Sequence, residues 1–209
     1  MKTLELFAGS RSFTRAFDAN VSFTSDNVQY GNIDYVIDVL DFNAENVPFI
    51  PDVIWASPPC TGFSVAAIGK SWNRDYTPKS DTAKQGLKLV EKTKEIIEYY
   101  QKLNPNLIWF IENPRGMLRK LPIMDFAPIR NTVTYCQYGD SRMKPTDIWT
   151  NWKTWIPRVA CKNGASCHIS APRGSRTGTQ GLKGAYLRSQ IPAELFIEIR
   201  KSLKEKISE

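Results

Sequence analysis

The segment Val53-Ile54-Trp55-Ala56-Ser57-Pro58-Pro59-Cys60-Thr61-Gly62-Phe63-Ser64 runs from an apolar stretch through two prolines into a cysteine. Val53, Ile54 and Trp55 have the character of a buried strand, and the prolines stiffen the chain just before the thiol by fixing φ. A thiol on a rigid turn at a strand end is placed as an active-site group would be. At an ordinary pKa of about 8.5 only a small fraction is thiolate at neutral pH, so reactivity there needs neighbours or a substrate that favour the anion. The plain alternative is a core cysteine, since free cysteine is among the most buried residue types.

Three further segments bear on that choice. Thr3 to Phe13 reads as a short strand, a small-residue turn at Ala8-Gly9-Ser10, and the start of a helix running to about Phe17. Such a turn lets a ligand approach the backbone, and the free amides of the following helix suit an anionic group. Leu107-Ile108-Trp109-Phe110-Ile111 delivers Glu112 and Asn113 to a strand end, where Pro114 stops the strand. A carboxylate at that place is costly unless paired or protonated. The third segment is Tyr135-Cys136-Gln137-Tyr138-Gly139, followed by Arg142 and Lys144.

In order and context these motifs resemble the cytosine-C5 DNA methyltransferase family. They are Phe7-Ala8-Gly9, Pro58-Pro59-Cys60 with Phe63-Ser64, Glu112-Asn113, and Gln137 with Arg142, with a fainter echo at Arg188-Ser189-Gln190-Ile191-Pro192. The resemblance spans residues 3 to about 150. It implies S-adenosylmethionine as cofactor, with Phe7 against the adenine, Ala8, Pro58 and the backbone of Gly9, Ser10, Ser12 and Phe13 around the methionine end, Asp26 on the ribose hydroxyls, and Asp38 with Val39 at the adenine amino group. It makes Cys60 the covalent catalyst that adds to cytosine C6, Glu112 the group that holds N3 and the exocyclic amine, and Arg142 the cation near O2, with Lys144 in reserve. One departure stands out: the family usually shows a second glycine where this chain has Arg11. The base must leave the duplex to be reached.

Alternating elements agree with such a fold. Strands are expected near residues 3–7, 21–25, 34–38, 52–56, 107–112 and 132–138. A helix is expected over Ser80 to Leu103, with Leu87, Val90, Ile97 and Tyr100 on one stripe. A last helix after Pro192 carries Leu195, Ile199 and Leu203 on one face. The expected architecture is α/β, a doubly wound, mostly parallel sheet of the S-adenosylmethionine-dependent methyltransferase type, with ligands at the carboxyl ends of its strands. The 209 residues are read as one domain with residues 151–187 as a short basic recognition insert, in a cytoplasmic monomer without a membrane span.

Charge sharpens the partner. The net charge is +7, and residues 141–193 hold nine basic side chains against one acidic, Asp147. This asymmetry points to double-stranded DNA. Within that stretch, Arg173, Arg176 and Lys183 sit among glycines and hydroxyls suited to phosphate oxygens. Ser64, Lys70 and Arg74 lie on residues 62–79, which read as a mobile loop able to close over DNA. Cys136, Cys161, Cys167 and the only histidine, His168, leave zinc or plain thiols open; the five-residue gap between Cys161 and Cys167 departs from usual zinc spacing, so no metal is expected. The same chemistry on RNA, a different group placed on C5, and a silent DNA-binding module remain alternatives.

Overall fold

The computed structural model describes residues 1–170 and 184–207. Seven strands form one sheet in the order β3-β2-β1-β4-β5-β7-β6. They are β1 (Lys2–Leu6), β2 (Val21–Asp26), β3 (Tyr35–Val36), β4 (Val53–Ala56), β5 (Ile108–Pro114), β6 (Ile129–Thr134) and β7 (Pro145–Thr150). β1 pairs in parallel with β2 and β4, β2 with β3, and β4 with β5. β7 runs antiparallel to both β5 and β6. The order turns back between β1 and β4, which opens a crevice at their carboxyl ends.

Helices cover both faces. On one side the sheet packs against α3 (Asp81–Leu103), and Leu4, Leu6, Ile54, Trp109 and Ile111 meet Val90, Ile96, Ile97 and Tyr100 in one core. On the other, α1 (Ser12–Phe17) and α5 (Ala193–Ile207) cover Val53, Trp55, Phe110, Val133 and Ile148 with Phe13, Phe17, Leu195, Phe196 and Ile199. Successive residues of β4 and β5 thus enter opposite cores, which is why those strands are apolar without alternation. The α3 stripe forms as expected, except that Leu87 is only partly buried. Ser80 caps α3 by accepting from the Ala83 amide at 3.1 Å. Two short helices, α2 (Ile68–Ser71) and α4 (Ala185–Ser189), complete the set among the described residues.

The sheet departs from expectation at its far edge. β6 ends at Thr134, and Tyr135–Tyr138 is a 3₁₀ turn closed by Gly139 at φ 86°. Gln137 therefore lies on a turn and not on a strand. β7 was not expected, because Thr146, Asp147 and Thr150 interrupt its apolar residues although all three are fully buried. Arg119 at 3.0 Å and the Thr132 hydroxyl at 2.7 Å both donate to Asp147 Oδ1, which offsets much of the cost of a buried carboxylate in this strand. The third strand shrinks to two residues as Asp34 instead accepts from the Thr24 amide and hydroxyl, at 2.8 and 2.7 Å.

Glu5 points from β1 into the α1/α5 face. Its carboxyl accepts the amides of Phe13 (3.2 Å) and Thr14 (2.9 Å), which start α1. Burial nevertheless dominates, raising its pKa from 4.5 to about 7 against those hydrogen bonds. The fold thus favours the protonated carboxyl. This contribution is fully present below pH 4.5 and is lost as pH rises through 7, a change of about 3 kcal/mol at most. Thermal melts of wild type and Glu5→Gln between these pH values should show the wild type losing Tm relative to the variant as pH rises; parallel curves would refute the assignment.

Candidate active site

The carboxyl ends of β1, β4 and β5 converge on one crevice. After β4, Pro58 is buried and Pro59 is exposed, and Cys60 stands half-buried beyond them. Asn113, fully buried at the end of β5, donates from Nδ2 to the Pro58 carbonyl at 2.8 Å. This bond fixes the thiol-bearing turn to the strand that carries Glu112. The far side of the turn is held by the Cys60 carbonyl, which accepts the Phe63 and Ser64 amides at 2.9 Å each. The Phe63 carbonyl accepts from Met117 N at 2.7 Å, and a Cβ on Gly116 would stand 2.1 Å from that same oxygen. Glycine is required there by close approach. The sequence reading missed Gly116, whose only local signal is its place two residues after Pro114.

Glu112 is buried with its Oε1 accepting the Tyr135 hydroxyl at 3.0 Å. Burial raises its pKa, opposed by the Lys144 charge and by hydrogen bonds from Tyr135 and Ser57. Burial also raises the Cys60 thiol, and the charge of Glu112 adds to that rise, while Lys144 and Arg188 act in the opposite sense. Lys144 is itself held down by burial, opposed by the charge of Glu112. Its ammonium donates to the Arg188 carbonyl at 3.0 Å and lies 4.7 Å from the Tyr135 ring centre. Thiol, carboxyl and ammonium therefore share one buried electrostatic unit.

Arg142 is placed differently from its expected role. Its guanidinium is ion-paired with Asp140 and donates to the carbonyls of Leu187, Arg188 and Gln190 at 3.4, 3.2 and 3.1 Å. With its donors committed to Asp140 and the backbone, it braces residues 187–190 and leaves Lys144 as the cation beside Glu112. The carboxylate that captures it lies only two residues away, where no motif of the sequence marks it as a partner.

Beside the thiol lies a cleft of about 190 Å³ lined by Phe7, Asp26, Ile37, Asp38, Val39 and Pro59, together with Gln85 and Leu89 of α3. Phe7, Asp26, Asp38 and Val39, expected around the adenosine, all line this one cleft. Pro59 lines the wall in place of Pro58, whose carbonyl is turned to Asn113. The expectation for the amides of the first turn is partly corrected. Gly9 N donates to Asp26 at 2.8 Å, Ala8 N to the Ser25 carbonyl at 3.0 Å, and Phe13 N to Glu5, while the Phe13 ring is fully buried against Trp55. Ser10 and Ser12 join hydroxyl to hydroxyl at 2.7 Å, and Ser12 accepts from Ile191 N at 3.3 Å. Arg11 adopts φ 56°, the left-handed region that favours glycine, so the glycine of the family pattern has a backbone reason that this chain overrides at a cost of about 1–2 kcal/mol. Gln85 and Leu89 carry no signal in the sequence beyond their helix.

Comparison with known proteins decides the family. The chain is 30% identical over 220 residues to the "Probable DNA (cytosine-5)-methyltransferase" of Frog virus 3 (isolate Goorha), aligning 95% of this chain with 98% of that one. The chain belongs to the DNA (cytosine-5)-methyltransferase family. Among solved structures, the Entamoeba histolytica methyltransferase EhMeth superposes with a TM-score of 0.54 at 13% identity, over 76% of this chain and 55% of that one, so the chain spans about half that protein's length. A putative DNA modification methyltransferase encoded within an Escherichia coli prophage is similar at a TM-score of 0.48 and 17% identity, over 98% and 69% of the two chains. No family model matches. The cleft suits the adenosine portion of this family's cofactor, S-adenosylmethionine. Apolar walls from Phe7, Ile37, Val39 and Leu89 suit an adenine, and the Asp26 and Asp38 carboxylates at adjoining strand ends suit hydroxyl and amino donors.

Residues 62–79 of this methyltransferase are folded, contrary to the expected mobile loop. Phe63 and Trp72 stack at 5.8 Å inside the core, and the Trp72 indole donates to the Gly62 carbonyl at 2.7 Å. Lys70 and Arg74 are exposed on this excursion, and Ser64 forms an isolated bridge with Gly116. Arg173, Arg176 and Lys183 lie outside the described residues. No helix among the described residues is long and apolar enough to cross a membrane.

The shared electrostatics make a directional prediction. The midpoint pH for alkylation of Cys60, followed on its own peptide by mass spectrometry, should fall in Glu112→Gln and rise in Lys144→Met. Shifts of the same sign in both variants would break the proposed coupling.

Proposed function

We propose that this member of the family methylates cytosine C5 in double-stranded DNA through a covalent adduct between Cys60 and the base. The observation that supports this most is the joining of Cys60, Glu112 and Lys144 at the ends of β4, β5 and the β6–β7 connection, beside the cleft that Asp26 and Asp38 border.

Cytosine C5 is too electron-poor to attack an electrophilic carbon unaided. In the proposed course, the Cys60 sulfur bonds to C6 and the ring electrons move toward N3, which takes a proton from Glu112. Burial shifts Glu112 toward its protonated form, the form that can donate to N3. Once Glu112 is neutral, its charge no longer opposes the thiolate, so the two proton positions support each other. The Lys144 ammonium stabilises negative charge at O2. Bound S-adenosylmethionine supplies the methyl electrophile. Water then takes the C5 proton, the freed electron pair expels the Cys60 thiolate from C6, and N3 returns its proton to Glu112, which restores the aromatic ring.

The base must first leave the duplex, at a cost of a few kcal/mol in lost stacking. Phosphate contacts from Lys153, Lys162, Arg173, Arg176 and Lys183, with the exposed Lys70 and Arg74, are proposed to offset it.

DNA incubated with the protein and S-adenosylmethionine, hydrolysed and analysed by nucleoside mass spectrometry, should yield 5-methylcytosine; an RNA stem-loop run in parallel should not. Cys60→Ser should abolish the product while cofactor affinity stays within about twofold, because the Cys60 side chain does not line the cleft. Lys144→Met should lower kcat by roughly a hundredfold, the lower range for a single electrostatic or proton-transfer group. Turnover of Cys60→Ser within tenfold of wild type would reject the reading.

A further inference from the structure

The structure gathers four soft donors that the proposed reaction does not use. Cys136 lies on the buried turn after β6, and Cys161, Cys167 and His168 come from the irregular segment after β7. Cys161 Sγ stands 3.1 Å from Cys167 Sγ and 3.3 Å from His168 Nδ1, and Cys167 Sγ is 3.7 Å from both Cys136 Sγ and His168 Nδ1. All four ligand atoms lie within 4.8 Å of one another. A tetrahedron with zinc–sulfur bonds of about 2.3 Å and zinc–nitrogen bonds of about 2.0–2.1 Å has edges of about 3.8 Å between sulfurs and about 3.5 Å from sulfur to nitrogen. The sulfur–nitrogen separations of 3.3 and 3.7 Å bracket their edge, and the sulfur–sulfur separations of 3.1 and 3.7 Å fall short of theirs.

We propose that Cys136, Cys161, Cys167 and His168 form a structural zinc site that fastens the segment after β7 onto the catalytic β6–β7 connection. Three thiols and one imidazole are a closed ligand set for zinc, with no position left for a reacting water. A disulfide would consume two of the thiols and leave the third and the imidazole without a task. The surroundings are prepared for such a site. Gln137 Nε2 approaches Cys167 Sγ at 3.4 Å, as an N–H donor to a coordinated thiolate would, and Cys161 N donates to Thr134 Oγ1 at 2.8 Å.

The need for the ion is physical. Residues 153–170 contain no helix or strand, and Ile156, Val159 and Ile169 are exposed by 85%, 88% and 66%. Trp155 is buried in the core and Arg158 is ion-paired with Glu194 and Glu198, but from Val159 to Ile169 the segment buries little apolar surface, and metal binding can supply ordering energy there directly. Cys136 directly follows Tyr135, the hydrogen-bond partner of Glu112, so the clamp bears on the active site. The unusual gap between Cys161 and Cys167, which argued against a metal in the sequence, is bridged because Cys136 reaches in from another element.

Metal content of the full chain, purified with a thiol reductant and without chelator, decides the matter. Elemental analysis should find about one zinc per chain. The Cys161→Ser/Cys167→Ser double variant should lose it roughly tenfold or more, while Cys60→Ser keeps it in full. Replacement by cobalt(II) should give the visible bands of a tetrahedral thiolate site, and zinc removal should expose residues 153–169 to limited proteolysis. Wild-type protein with neither zinc nor cobalt bands, or a Cys161–Cys167 disulfide under the same conditions, would overturn the proposal. Because Cys60→Ser retains the metal, the outcome does not depend on whether the chain methylates cytosine.

Discussion

One buried hydrogen bond, from the Asn113 amide to the Pro58 carbonyl, sets the geometry on which the site depends. Prolines stiffen the turn but do not aim it. The bond across the ends of β4 and β5 aims it, and because both groups lie in the core neither can turn to water instead. Parallel pairing in register from Val53↔Ile108 to Ala56↔Ile111 brings the two strand ends level, so thiol and carboxyl emerge together. The cores on both faces of the sheet hold that register, since a one-residue slip would move Trp55 and Phe110 into the wrong layer.

The chemistry follows from shared desolvation. Burial raises both Cys60 and Glu112 and lowers Lys144, and each of the three charges opposes or supports the others. Alone, each group would bear its full desolvation cost; side by side, the Lys144 charge offsets part of it for Cys60 and Glu112. Residues 187–191 lock this arrangement by accepting from Arg142 and Lys144 and by donating to Ser12 in the first turn. The segment after the basic insert is thus part of the active-site frame.

The legible part of the fold was what local pattern encodes. The stripe of α3, the face of α5, and the strand-ending acids and thiol followed from apolar runs and turn residues. β7 was hidden because its Asp147 is buried by pairing with Arg119 and Thr132, whose positions no local pattern reveals. Arg142 was misplaced for a similar reason, since its capture by Asp140 and three backbone carbonyls depends on a segment more than forty residues away. Pro58 and Phe13 were assigned from motif position, whereas the direction in which a group on a turn faces is decided by its partners. The convergence of Cys136 with Cys161, Cys167 and His168 was equally invisible to spacing, as one ligand lies across a hairpin from the others.

The covalent role of Cys60 is tested most directly by duplex DNA carrying 5-fluorocytosine, incubated with the protein and S-adenosylmethionine. Fluorine cannot leave as the C5 proton does, so the sulfur–C6 bond should persist, giving a denaturation-resistant protein–DNA band whose cross-linked peptide contains Cys60. Active protein that methylates ordinary cytosine yet yields no such band, or a cross-link mapped to Cys136, Cys161 or Cys167, would contradict the account.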